Sequence, residues 1–174
     1  MKFLIKLVMV VMFLVLGGAY LYGSRLPREH TVTSNLLLVA SADTVFKVIR
    51  NIEAAPTWWN DVVAVERIKG APKESWREDM GIMGNIEIEV SRVSPGRSME
   101  VSILNAEKQG WGGTWYYEVR DTPSGTEVTI TEEGWSDSPI FRTLMQLRGK
   151  HRTIDSFLAS LGAHFAESAT PRHV

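Results

Sequence analysis

The sequence predicts an α+β fold: a curved antiparallel β-sheet wrapped around a long C-terminal α-helix, with an N-terminal transmembrane helix in front. Three observations predict it. Ile140, Leu144, Leu147, His151, Ile154, Leu158, Leu161 and Phe165 recur at alternating spacings of four and three, which places them on one helical face. Residues 31–135 read mostly as short strands with turn residues between them. Residues 3–22 form an apolar run of about the 20 residues that cross a bilayer. A helix that follows a run of antiparallel strands must cover one sheet face, because neither apolar surface is stable alone. A curved sheet and such a helix can enclose a pocket.

At the N-terminus, Lys2 and Lys6 precede the wholly apolar residues 7–16, which continue through Gly17 and Ala19 to Tyr22. Tyr20 and Tyr22 fit an interfacial aromatic belt, and Arg25 and Arg28 mark an aqueous side. A basic start, a short apolar core and small residues at Gly17 and Ala19 also describe a cleaved signal peptide. Residues 1–23 are read as an uncleaved single-pass anchor with the domain on the extracytoplasmic side. A cleaved segment and a cytoplasmic domain are the alternatives.

Residues 24–30 form a polar linker containing Pro27, and residues 31–39 a first strand. Ser41 is an N-cap for a helix over 42–51, where Val45, Val48, Ile49 and Ile52 keep helical spacing. Residues 54–59, which include Pro56, Trp58 and Trp59, predict a second, very short helix after a break. Six strand-like segments follow, at 62–68, 74–80, 85–93, 98–105, 114–120 and 127–133. Their separators carry turn chemistry at hairpin spacing, as in Ser94-Pro95-Gly96 and Pro123-Ser124-Gly125. Ile86, Ile88 and Val90 alternate with Glu87, Glu89 and Ser91, the pattern of strands with one buried and one wetted face. Ser138 as N-cap and Pro139 at the first helical position open the last helix. The folded domain is thus expected over 31–166, with 167–174 as a flexible tail.

Composition excludes several functions. A net charge of −1 gives no electrostatic reason for a nucleic-acid partner. The absence of cysteine removes disulfides, thiolate metal sites and cysteine nucleophiles. The four histidines have no metal-ligand spacing, and no dinucleotide, phosphate-loop or serine-hydrolase motif is present, so neither a metal nor a cofactor is expected.

The order strand, helix, short helix, six strands, long helix matches the helix-grip arrangement. The residues resemble that superfamily (SRPBCC, which includes START domains and the birch-pollen allergen), specifically its polyketide-cyclase/dehydrase and lipid-transport branch. The resemblance rests on residues 42–59 with their Pro-Trp-Trp turn and on Trp76-Arg77-Glu78. It rests also on Gly112-Gly113-Thr114-Trp115-Tyr116-Tyr117, on residues 129–134 and on Ser138-Pro139-Ile140-Phe141-Arg142. It covers about residues 31–161 and implies a domain that handles hydrophobic molecules. The membrane segment is not part of that family pattern.

Strand parity nominates a lining for the pocket. Trp111, Gly113, Trp115, Tyr117 and Val119 share a parity, although Gly112 and Gly113 are a possible bulge; Val128, Ile130 and Glu132 share another, and Trp76, Glu78 and Met80 a third. The candidate lining is therefore Trp59, Trp76, Glu78, Trp111, Trp115, Tyr117, Glu132 and His151. Each has a structural alternative: the tryptophans as plain core, the carboxylates as groups reaching water or an arginine, His151 as a satisfied helix residue. A carboxylate on an apolar face has a raised pKa and can move a proton. Arg142, Arg148, Lys150 and Arg152 give the last helix a basic side, facing solvent or the acidic sheet, or alternatively anionic lipid headgroups.

Three functions follow. The leading one is a membrane-tethered domain that binds a hydrophobic small molecule or lipid. The second is a cyclase- or dehydratase-like enzyme, favoured if a carboxylate and His151 converge across one cavity. The third is a non-catalytic interaction module, favoured by a solid core.

Overall fold

A computed structural model describes residues 1–174. The chain runs α1 (Lys2–Gly23), β1 (Glu29–Leu38), α2 (Ala42–Arg50), a 3-10 turn (Ile52–Thr57), β2 (Ala64–Arg67), β3 (Ser75–Asp79), β4 (Asn85–Ser94), β5 (Ser98–Ile103), α3 (Ala106–Gln109), β6 (Trp111–Thr122), β7 (Gly125–Ser136), α4 (Pro139–Arg148), α5 (Arg152–His164) and β8 (Arg172–His173). The eight strands form one antiparallel sheet in the order β2-β3-β4-β5-β6-β7-β1-β8, so the first long strand returns beside the last. This is the helix-grip architecture the sequence predicts.

Local chemistry explains the element ends. Ser41 accepts a hydrogen bond from Thr44 N–H and caps α2; Ser138 accepts from Phe141 N–H and caps α4, with Pro139 at its first position. The buried side of α2 is Val45, Phe46 and Ile49, and that of α5 is Ile154, Phe157, Leu158 and Leu161. Both pack on the concave sheet face, against residues such as Leu36, Val128 and Ile130. The core therefore lies between sheet and helices, where apolar area leaves water.

The last helix departs from the sequence expectation. It breaks at Gly149, whose φ of 90° is costly for any residue with a Cβ, into α4 and α5. The eight-residue stripe is therefore not continuous. Only the α5 half is buried by the sheet: Ile154, Leu158 and Leu161 are at most 1% exposed. In the α4 half, Ile140, Leu144 and Leu147 are exposed.

The main neighbour of α4 is α1, with only a minor contact to the sheet. Thr143 donates its hydroxyl to the Ala19 carbonyl at 2.6 Å, and buried Gly23 sits so close to Pro139 that an added Cβ would lie 1.8 Å from its carbonyl oxygen. The predicted linker is shortened, since β1 begins at Glu29. Residues 167–174 make contacts with the domain. Glu167 accepts hydrogen bonds from Val39 and Ala40 N–H, and β8 pairs with β1 at Ser34 and Asn35. No bulge forms at Gly112 and Gly113, where β6 pairs with β7 in unbroken register. A Cβ at Gly112 would meet Ala106 at 2.4 Å, and one at Gly113 the Glu133 carbonyl at 2.7 Å.

Candidate ligand cavity

Between sheet and helices lies a cavity of about 60 Å³, lined by 17 residues of which 15 are hydrophobic. Such a lining holds apolar matter and gives few fixed polar contacts. From the helices come Ile49, Ile154 and Phe157; from the short 3-10 turn and the residues after it, Ile52, Ala55, Trp58 and Trp59; from the strands, Glu78, Ile88, Met99, Val101, Trp115, Tyr117 and Ile130; and from the turn after β3, Met80. The volume suffices for a few waters. A lipid-sized ligand therefore enters only by displacing side chains, and the lining includes two adaptable ones, Met80 and Met99.

Phe157 organises the aromatic wall. It makes edge contacts with Trp58 and Trp59, ring centres 5.0 Å away in both cases, and lies 5.3 Å from Tyr117. The indole N–H groups of Trp58 and Trp59 are buried without a hydrogen-bond acceptor. Sequence reasoning missed Phe157 because it sits one position before Leu158 of the stripe; its signal was a bulky aromatic three residues after Ile154.

Glu78 is the one carboxyl group in the lining. It is 7% exposed, and no side-chain hydrogen bond or ion pair reaches it. Burial alone pushes its pKa from 4.5 up to about 7. Near neutrality the group thus exists in both forms and can donate or accept a hydrogen bond. The neighbouring Tyr117 hydroxyl stays protonated, its pKa raised first by burial and then by Glu78 and Glu132.

Of the eight residues nominated by parity, Trp59, Glu78, Trp115 and Tyr117 line the cavity, whereas Trp76, Trp111, Glu132 and His151 do not. Each of the second group has a structural partner. Trp76 donates to Glu74 at 3.0 Å beneath the Arg67 guanidinium. Trp111 lies by Phe141, with ring centres 6.5 Å apart. Glu132 is buried but satisfied, accepting from Trp115 Nε1 at 3.0 Å and pairing with His30 Nε2 at 3.1 Å. His151 is the N-cap of α5, outside the stripe's buried side.

The surroundings of His151 fix its role. Ser34, fully buried, donates to Asp155 at 2.7 Å, so its oxygen accepts from His151 Nδ1 at 3.1 Å. His173 bonds Asp155 at 2.8 Å and stacks on His151, ring centres 3.8 Å apart and planes 17° apart. Burial and then His173 lower the His151 pKa, which favours the neutral ring carrying its proton on Nδ1. The ligating atoms of His151, Asp155 and His173 fall within 4.8 Å of one another. Coordination needs each ring nitrogen to point at the ion in its own ring plane. Two nearly parallel stacked rings cannot both do so, and the cluster instead clasps β8 onto β1 and α5.

The sequence model of the family described as polyketide cyclase / dehydrase and lipid transport matches residues 29–166. No curated protein matches the chain in sequence. Among solved structures, a START superfamily protein from Mycobacterium smegmatis is similar at a TM-score of 0.59 and 15% identity, over 78% of this chain and 96% of its own. An aromatase/cyclase, Zhui, from Streptomyces sp. R1128 is similar at 0.56 and 14%, over 78% of this chain and 90% of its own. The di-domain ARO/CYC StfQ of the steffimycin biosynthetic pathway is similar at 0.62 and 10%, over 77% of this chain; the chain spans 50% of that protein. At such identities the likeness is one of fold.

Proposed function

The chain belongs to the polyketide cyclase/dehydrase and lipid transport family, and from that premise we propose that it is a membrane-tethered domain binding a hydrophobic small molecule or lipid in its cavity. The observation that carries this reading is the composition of the lining: 15 of 17 residues are hydrophobic, and one buried carboxyl group supplies a polar contact. The family supports a hydrophobic ligand or a cyclase-like role.

Support for the tether comes from α1, which is long and apolar enough to span a bilayer and has its first two-thirds free of the domain. Its last turns fit α4 through Ala19 and Gly23, a contact that favours retention of the helix over removal as a signal peptide. Lys2 and Lys6 ahead of the apolar run favour a cytoplasmic N-terminus and so an extracytoplasmic domain, a bias that Arg25 and Arg28 on the other flank weaken.

Thermal unfolding of the full chain in detergent, against a panel of fatty acids, isoprenoids and aromatic polyketide-like compounds, tests the binding role. A ligand at 100 times its Kd stabilises by about 2.7 kcal/mol, a Tm rise of roughly 5–10 °C for a domain of this size. A panel without any shift argues against the cavity as a binding site.

Glu78 favours a second reading, cyclase-like catalysis, because a carboxyl group titrating near 7 is suited to proton transfer. The separation of His151 from the cavity argues against it. Under catalysis, Glu78→Gln abolishes turnover while ligand is still bound; under binding alone no compound of the panel is chemically altered by the wild type.

A further inference from the structure

Strand register places several loops at one end of the sheet. Glu29 pairs with Trp135, Ser136 with Trp111, Ser102 with Thr114, Asn85 with Asp79, and Asp79 with Ala64. The exit of α1, the start of α4, the residues before β2 and the 81–84 turn therefore share an end, and the 122–125 turn lies at the other. At the α1 end the domain exposes apolar side chains. Ile82 is 104% exposed and Met83 61%, in a turn bounded by Gly81 and Gly84, both at positive φ. Val63 stands beside Gly81 and is 63% exposed.

The other patch is the outer face of α4, where Ile140, Leu144 and Leu147 repeat at helical spacing. This helix carries no acidic residue. The exposed bases Arg148, Lys150 and Arg152 take part in none of the ion pairs of the fold, which engage Arg28, Arg50, Arg77, Arg92, Arg120, Lys47 and Lys73 with carboxylates. Because α4 packs on the last turns of α1, a bilayer crossed by α1 brings that face to headgroup depth. The 81–84 turn is also the cavity's edge, bracketed by the lining residues Met80 and Ile86.

We propose that this end of the domain rests on the bilayer that α1 crosses, with the 81–84 turn and the outer face of α4 in the lipid interface, so that the cavity exchanges its ligand with the membrane. The proposal rests on the tether proposed above. The occupant of both patches is the lipid surface, because the anchor leaves the domain at the same end.

The chain contains no cysteine, so single cysteines label uniquely. The full chain, labelled with an environment-sensitive fluorophore at Ile82→Cys, Leu147→Cys, Ser124→Cys or Leu14→Cys, is reconstituted in phosphatidylcholine vesicles with lipids spin-labelled near the headgroup and, for position 14, in vesicles with lipids spin-labelled deep in the acyl chain, because Leu14 lies near the middle of the span. Ile82 and Ser124 are both exposed, so their replacement leaves the core intact. Blue-shifted emission at positions 82 and 147, quenched several-fold more than at 124, is the expected result. Quenching at position 14 but not at 82 or 147 leaves the anchor standing and overturns the docking. No quenching at 14 overturns the anchor and the docking together. A blue shift at 82 that grows with protein density and resists lipid quenchers assigns the patch to a second copy, and overturns the proposal.

Discussion

Glu78→Gln is expected to raise the unfolding free energy by about 3 kcal/mol at pH 8 and to leave it nearly unchanged at pH 4. Burial moves the Glu78 pKa from 4.5 to about 7, and each tenfold change in proton affinity corresponds to about 1.4 kcal/mol. Because the folded state holds this proton more tightly than the unfolded state, stability falls as pH rises. The contribution is intact below pH 4.5 and is lost progressively up to about pH 7. Glutamine keeps the shape without the charge, so the difference between variant and wild type isolates this group from other titrations. Chemical denaturation of both proteins across that range reads it. A pH-independent difference would mean that Glu78 ionises freely in the fold. The same physics predicts weaker binding of a neutral ligand by the wild type above pH 7, where entry would seal a charge away from water.

Leu158→Ala should destabilise the protein by about 2–5 kcal/mol, whereas Leu147→Ala in detergent should stay within about 0.5 kcal/mol. Both leucines belong to the same stripe in the sequence. Leu158 is fully buried on α5 against the sheet, so truncation leaves a cavity in addition to the lost transfer energy. Leu147, 77% exposed on α4, touches little that its loss would uncover. Equal losses at both positions would mean that the stripe is one continuous buried face and that the break at Gly149 is not a feature of the folded protein.

That contrast marks the boundary of what the sequence made legible. Strand alternation and turn chemistry placed β4, β6 and β7 within a few residues, because a half-buried strand has to alternate and a hairpin has to close. The stripe was legible as a helix but not as two, since its spacing carries straight through Gly149 and periodicity is blind to a backbone break. Gly149, following Arg148, was the available signal of a helix end. Parity brought Trp115, Tyr117 and Glu78 to the cavity, but it fixes a face and not a position along the strand. Glu132 therefore shares the inner face and is taken up by Trp115 and His30. His151 was drawn away by Ser34 and by the chain's own end at His173, a contact between residues 117 and 22 positions away that no local pattern encodes. The fit of α4 on α1 is tertiary in the same sense.

The central claim is that the cavity holds a hydrophobic molecule. Native mass spectrometry of the full chain released from detergent, beside its Val101→Phe variant, tests it most directly. Val101 lines the cavity and is 3% exposed, so a phenyl ring there occupies the free space. The wild type is expected to carry one discrete apolar adduct that the folded variant lacks. A wild type of bare protein mass, or an adduct retained unchanged by Val101→Phe, would contradict the account.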